Sequence, residues 1–244
     1  MVGTTRRKGR RASWLAVCLP LGLCACAPTY APPPRIGSWG APGPMEAGRV
    51  GIVASLNFPT PIPGVDSGLF FQPTDWLALE AGANWMNEYW TLGWAGARFQ
   101  LANEGSRSSR FVFDIDAGGV AGVGGERCGN GAEPTTYCRP DEQPDGRDWS
   151  DRAAGGGYLG AGFALHFSWF SLFVHDRLAL TGAWGVPPTL WNLAWFGVQA
   201  APWDAFRFWL GYTVANYWNE FDGAGGGGFD VGFAVSFDTW DPAD

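Results

Sequence analysis

Phe229-Asp230-Val231-Gly232-Phe233-Ala234-Val235-Ser236-Phe237 alternates without a break. Phe229, Val231, Phe233, Val235 and Phe237 take one parity, and Asp230, Gly232, Ala234 and Ser236 take the other. Successive side chains of a strand point to opposite faces, so this stretch is a β-strand with one wholly apolar face. The same grammar recurs upstream. Val50, Ile52, Ala54, Leu56 and Phe58 oppose Arg49, Gly51, Val53, Ser55 and Asn57. Leu77, Leu79, Ala81, Ala83 and Trp85 oppose Ala78, Glu80, Gly82 and Asn84, and Phe111, Phe113, Ile115 and Ala117 oppose Val112, Asp114 and Asp116.

Taken along the chain, the pattern predicts strands at 50–58, 67–72, 77–85, 89–101, 111–117, 155–167, 170–184, 189–200, 206–220 and 229–237. The fourth carries a bulge near Trp94, where the apolar parity switches. Every proline after Phe58 is placed in a turn, loop or tail, as strands that need all their ladder donors require. Ten is an even number, which suits an all-β, antiparallel, up-and-down transmembrane β-barrel. Eight spanning strands are the alternative, because 67–72 is shorter than the roughly 9–11 residues that cross a bilayer.

With both termini on the periplasmic side, the longest polar insert, 126–154, falls outside, as does the glycine run Gly225–Gly228, read as a flexible loop. Trp85, Trp90, Trp184 and Trp218 then lie near the external rim and Trp76, Trp169 and Trp203 near the internal one, as two aromatic girdles.

Composition points the same way. The chain holds 37 Gly, 15 Trp and 17 Phe beside a single lysine, Lys8, unlike the Lys-decorated surface of a soluble domain. No apolar run reaches the roughly 20 residues of a transmembrane helix. Loss of residues 1–25 removes five cations and leaves 11 basic against 23 acidic residues, a net charge of −12, which argues against a nucleic-acid partner.

The N-terminus divides the chain further. Arg6 to Arg11 and the short apolar stretch Ala12 to Ala25 have the grammar of an export signal over 1–25. Leu23-Cys24-Ala25-Cys26 resembles the bacterial lipobox, which implies a diacylated Cys26 as the mature N-terminus, and Ala27 after it favours the outer membrane. Ordinary cleavage after Ala27 is the competing reading. Residues 26–46 carry six prolines and read as a lipid-anchored, semi-extended tether that packs no core, followed by the barrel at 47–240 and a tail at 241–244.

The closing strand also resembles the C-terminal signal of outer-membrane barrels in Asp230, Gly232, Val235 and Phe237. That resemblance implies the barrel-assembly machinery as a partner, although this chain runs on to Asp244. Residues 47–240 resemble the small barrels of the OmpA/OmpX type, which implies a Gram-negative outer membrane and its lipid as surroundings.

If the apolar faces meet lipid, the opposite faces put Glu80, Arg98, Asp114, Asp116, His175, Arg177, Arg207 and Asp230 in the lumen as a polar network. Asp176 has lipid-facing parity unless a bulge or a rim position rescues it. Cys128 and Cys138 are expected to close the external insert as a disulfide. In that insert Asp141, Asp145, Gly146, Asp148 and Asp151 superficially resemble a calcium loop, but Arg152 stands where the bidentate Glu belongs and Pro144 interrupts it. His166 and Ser168 have the H-x-S spacing of the outer-membrane lipid A deacylases, on three residues only. The resulting expectation is a structural or surface-interaction role, without catalysis, metal or cofactor, and with an unidentified external partner. The alternatives are a narrow passive pore, and a soluble periplasmic lipoprotein with an apolar ligand inside, for which the two faces of every strand would be reversed.

Overall fold

The computed structural model describes residues 31–58, 63–86, 90–106, 108–124, 152–183, 186–203, 205–219 and 223–238. Ten strands follow one another: β1 (Arg49–Phe58), β2 (Gly64–Thr74), β3 (Leu77–Met86), β4 (Trp90–Gly105), β5 (Arg110–Gly124), β6 (Arg152–Phe167), β7 (Phe170–Ala183), β8 (Val186–Trp203), β9 (Phe206–Trp218) and β10 (Gly223–Asp238). Each pairs antiparallel with its chain neighbours, and β10 returns to β1 to close the barrel. The closing seam runs from Arg49 opposite Asp238 to Phe58 opposite Phe229, so the alternating stretch of β10 seals the sheet. A closed ladder leaves no edge groups unpaired, which is what a hydrocarbon environment demands of strands.

The apolar parity faces outward. Leu69, Leu159 and Leu180 are 60%, 59% and 58% exposed, and Phe163, Phe208 and Phe233 stand beside them on the outer wall. In water such a continuous apolar face costs on the order of 25 cal/mol for each Å² left wet, whereas lipid removes that cost. The reversed arrangement, with an apolar interior around a ligand, is thereby excluded. Trp85 and Trp218 at one rim and Trp76, Trp169 and Trp203 at the other are exposed on the outside. Trp90 corrects the girdle reading: its side chain is buried inside the barrel.

β4 shows why. Trp90, Leu92, Trp94 and Arg98 all face inward, and the one register shift on its β5 side lies between Gln100 and Ala102, away from Trp94. The apolar parity does not switch through a bulge; apolar side chains occupy the inner wall because something inside meets them. β2 spans 11 residues and pairs along its length with β1, so all ten strands cross. Pro73, Pro187, Pro188 and Pro202 lie within β2 and β8 rather than in turns, each at a register shift where the ladder skips a donor. Gly225–Gly228 belongs to β10, paired with β9, and is not a loop.

Candidate functional site

Residues 31–45 fill the lumen. The backbone that reads as a free tether runs through the barrel, buried from Ala31 to Pro42, and emerges exposed at Glu46. Its composition suits that place. Proline needs no donor partner and holds an extended conformation, so Pro32, Pro33 and Pro34 carry the chain forward without a ladder. Ile36, Trp39 and Ala41 join the buried apolar cluster of the inner wall, and polar groups of the strap find hydrogen-bond partners there. Ala31 N–H donates to Thr189 Oγ1 at 2.9 Å, and its carbonyl accepts from Trp191 Nε1 at 2.9 Å. Asn84 Nδ2 donates to the Pro34 carbonyl at 3.0 Å, and Ala41 N–H donates to Gln199 Oε1 at 3.0 Å. At the inner end Gln100 Nε2 donates to the Gly43 carbonyl at 3.0 Å, and Ala47 N–H donates to Asp75 Oδ1 at 2.9 Å.

Arg35 is the electrostatic centre of this strap. Its Nη1 lies 2.8 Å from Glu80 Oε2 and 3.9 Å from Asp116 Oδ2, and its Nε lies 3.9 Å from Asp66 Oδ2. The guanidinium sits 3.9 Å from the Trp39 ring and 4.1 Å from the Trp94 ring, so two indoles cover it where water cannot. Trp94 Nε1 donates to Asp66 Oδ1 at 3.1 Å, tying wall aromatic and wall carboxylate together.

Around this centre the wall residues pair among themselves. Arg177 donates to Asp116 Oδ2 from Nη2 at 2.9 Å and from Nε at 3.2 Å, and His175 Nε2 lies 2.9 Å from Asp116 Oδ1. Arg98 pairs with Glu80 and lies 3.5 Å from Asp114 Oδ2. Removal of either partner from such a buried, hydrogen-bonded set strands the other without solvent. Arg207 rests near the inner end over Phe70, 5.7 Å from the ring centroid.

Asp230 stands apart from the arginines and holds the strap. Its Oδ2 accepts from Ser38 Oγ, from Ser38 N–H at 3.2 Å and from Trp209 Nε1 at 3.1 Å. Gly232, two residues along the same inner face, leaves room for that indole: a Cβ there would sit 2.2 Å from Trp209 Cζ2. Val235 and Phe237 have outward parity, with Phe237 exposed. The strap kinks where Trp39 and Gly40 adopt φ of 63° and 77°. A bulky residue adopts positive φ only when its surroundings hold it there. Trp39 is held by its packing on Trp94, with ring centroids 4.6 Å apart.

His166 engages neither Ser168 nor Asp176. Its Nε2 donates to the Pro42 carbonyl at 2.8 Å, which leaves Nδ1 to accept from Ser171 Oγ at 2.6 Å. Ser168 lies in the β6–β7 turn at φ 47°, and Asp176 is on the outer face, where Asn192 Nδ2 donates to it at 2.6 Å. The His166–Ser168 pair suggested by the H-x-S spacing is therefore not assembled, and His166 fastens the strap. β7 keeps its register past Asp176, so no bulge turns that carboxylate inward. A charge on the lipid face costs up to about 2 kcal/mol. Asp176→Leu is expected to raise the urea midpoint for unfolding from lipid vesicles; a fall would mean that a donor on another surface meets Asp176.

Cys26, Cys128, Cys138 and the acidic run at 141–151 lie outside the described residues. Among the charged residues of the site, Asp66 and Arg35 are the two that sequence reasoning missed. Asp66 reads as the end of a proline-rich loop, but the alternation already begins there, with Val65, Leu69 and Phe71 outward and Asp66, Phe70 and Gln72 buried.

Fold and lumen together define a closed ten-stranded transmembrane β-barrel whose interior is occupied by its own N-terminal segment. No protein-family model matches the chain, and no curated protein sequence does. Among solved structures it is similar to the outer membrane protease OmpT of Escherichia coli, at 8% identity and a TM-score of 0.32 over 78% of this chain and 94% of that one. OmpT of Vibrio cholerae, an outer membrane protein folded in vitro, is similar at 8% identity and a TM-score of 0.29 over 78% and 96%. The protease in this set overturns the expectation that catalysis is excluded for a chain of this architecture. At such identity and score the likeness concerns the fold and transfers no activity.

Proposed function

We propose that this protein is an outer-membrane β-barrel lipoprotein, anchored at Cys26, that serves a structural or surface-interaction role by presenting its external insert. The occupied lumen carries this reading. Where a solute path would run, Arg35 is clasped by Glu80 and rests against the rings of Trp39 and Trp94, and Ser38 is clasped by Asp230. A barrel sealed in this way has only its loops with which to meet a partner. The longest link, 125–151, joins β5 to β6 and carries Cys128 and Cys138, whose disulfide would hold it as a compact acidic projection. Outer-membrane lipid covers the apolar wall, and Asp230, Gly232, Val235 and Phe237 present the closing strand to the barrel-assembly machinery.

The test is the mobility in SDS of protein from the outer-membrane fraction, with and without boiling. A faster unboiled band is the expected result, because a closed ladder resists the detergent until heated. Equal mobility, with release to the soluble fraction for Cys26→Ser, would sink the membrane-spanning reading.

A further inference from the structure

The direction in which the strap threads the barrel has a topological consequence. The strand ends joined by the links 75–76, 106–109, 168–169 and 204–205 gather at one end of the barrel, and those of β5 and β6 joined by the link 125–151 are at the other. In membrane barrels short turns face the periplasm and long loops face outward. Ala31 is pinned at the long-loop end by Thr189 and Trp191, close after the start of β8. Pro42 is pinned by His166 near the β6–β7 turn, and Ala47 by Asp75 in the β2–β3 turn, both at the short-turn end. The chain therefore enters the lumen from outside, runs inward, and turns back up as β1.

We infer that the mature N-terminus of this protein is displayed on the outer surface of the membrane, so that the lipid on Cys26 sits in the outer leaflet. The second clause rests on the lipidation proposed above; the first holds for cleavage at either position, since both leave the N-terminus ahead of Ala31. Chain reach decides the leaflet. Cys26 precedes Ala31 by five residues, a span of at most about 18 Å fully extended. The apolar band of such a barrel is about 25 Å tall, so acyl chains leaving the outer mouth cannot anchor at the periplasmic face. The return path through the lumen is taken by the strap itself. It follows that β1 and β10 close around a strap already in place, because a diacylated end cannot be drawn through a lumen lined by Asp116, Arg177 and Asp230 after closure.

The experiment places one epitope between Pro28 and Thr29 and, in a second protein, the same epitope within 125–151, both in the full chain. Antibody binding to intact cells is compared with binding after outer-membrane permeabilisation, with radiolabelled palmitate incorporation and the unboiled fast band read on the same samples. The expected result is equal binding for both epitopes on intact cells, with palmitate in the protein. Binding of the N-terminal epitope only after permeabilisation, in protein that keeps the fast band, overturns the outward threading and leaves the barrel reading intact. Surface binding without palmitate supports the threading and overturns the lipid on Cys26. Should the inserted epitope itself abolish the fast band, Thr29→Cys supplies the second route, read with a membrane-impermeant biotin maleimide, because the region between Cys26 and Ala31 offers no lysine to label. Labelling of intact cells that does not rise on permeabilisation is the expected result, whereas labelling only after permeabilisation overturns the threading.

Discussion

Arg35→Ala lowers the unfolding free energy of the barrel by about 3–5 kcal/mol, measured as the shift of the urea midpoint in lipid vesicles. The magnitude follows from what the substitution leaves behind. Glu80 loses a partner at 2.8 Å and keeps Arg98, while Asp66 loses the cation that lies 3.9 Å from it and keeps the neutral donors Gly37 N–H and Trp94 Nε1. Trp39 and Trp94, which pack on each other with centroids 4.6 Å apart, lose the cation that rests against both rings. Each of these is a buried group separated from its compensation, and in this setting the desolvation penalty is not returned by water. Arg35→Lys recovers only part of the loss, since an ammonium keeps the charge but has no flat face to rest on two indoles while donating to Glu80. Arg35→Ala combined with Glu80→Gln costs less than the sum of the two single changes, because the pair is removed together. A loss no larger than that of an exposed substitution would show that the wall carboxylates close on other partners without the strap.

The outer wall of this barrel was legible in sequence and much of the inner wall was not, for a physical reason. Lipid imposes one rule on every outward position, so Val231, Phe233 and Leu79 announce themselves by parity. No such rule governs the interior, where Glu80 and Trp94 serve equally well if each has a partner. Trp90 and Trp94 therefore read as outward, and the partners of Trp94, Arg35 and Trp39, lie far away in sequence, in the strap. A cue to the strap does exist. Arg35 is the single charged residue between Ala27 and Met45. The inward carboxylates Glu80, Asp114, Asp116 and Asp230 outnumber Arg98, Arg177 and Arg207. A missing cation and a lone cation in a proline-rich segment fit each other, but proline content argues so strongly for a linker that the match is lost. Glycine is similarly ambiguous until the aromatics are placed. At Gly68 a Cβ would sit 2.8 Å from Trp39, and at Gly82 2.7 Å from Trp94, so inward glycines make the space that inward tryptophans fill.

Removal of residues 31–45 opens a conducting path in a protein that is otherwise silent in planar bilayers. Eight-stranded barrels are filled by their own side chains, and a ten-stranded one is modestly wider, which leaves a channel that this fold closes with a segment of backbone. The opened lumen has a sign. Without Arg35 its wall holds Asp66, Glu80, Asp114, Asp116 and Asp230 against Arg98, Arg177 and Arg207, so cations are favoured. Rings of carboxylates select cations by the same electrostatics. Reversal potentials in a salt gradient measure this preference, and Asp66→Asn together with Asp230→Asn reduces it. A synthetic peptide of residues 31–45 restores the block, and the same peptide carrying Arg35→Ala does so only at higher concentration, because it lacks the contacts to Glu80, Trp39 and Trp94. Trp39→Ala, which takes one indole out of the lumen and keeps the clasps on Ser38 and Pro42, gives brief openings rather than a steady current. A deleted protein that keeps the fast unboiled band yet passes no current would mean that the inner side chains collapse across the axis, and the strap would then be a brace rather than a seal.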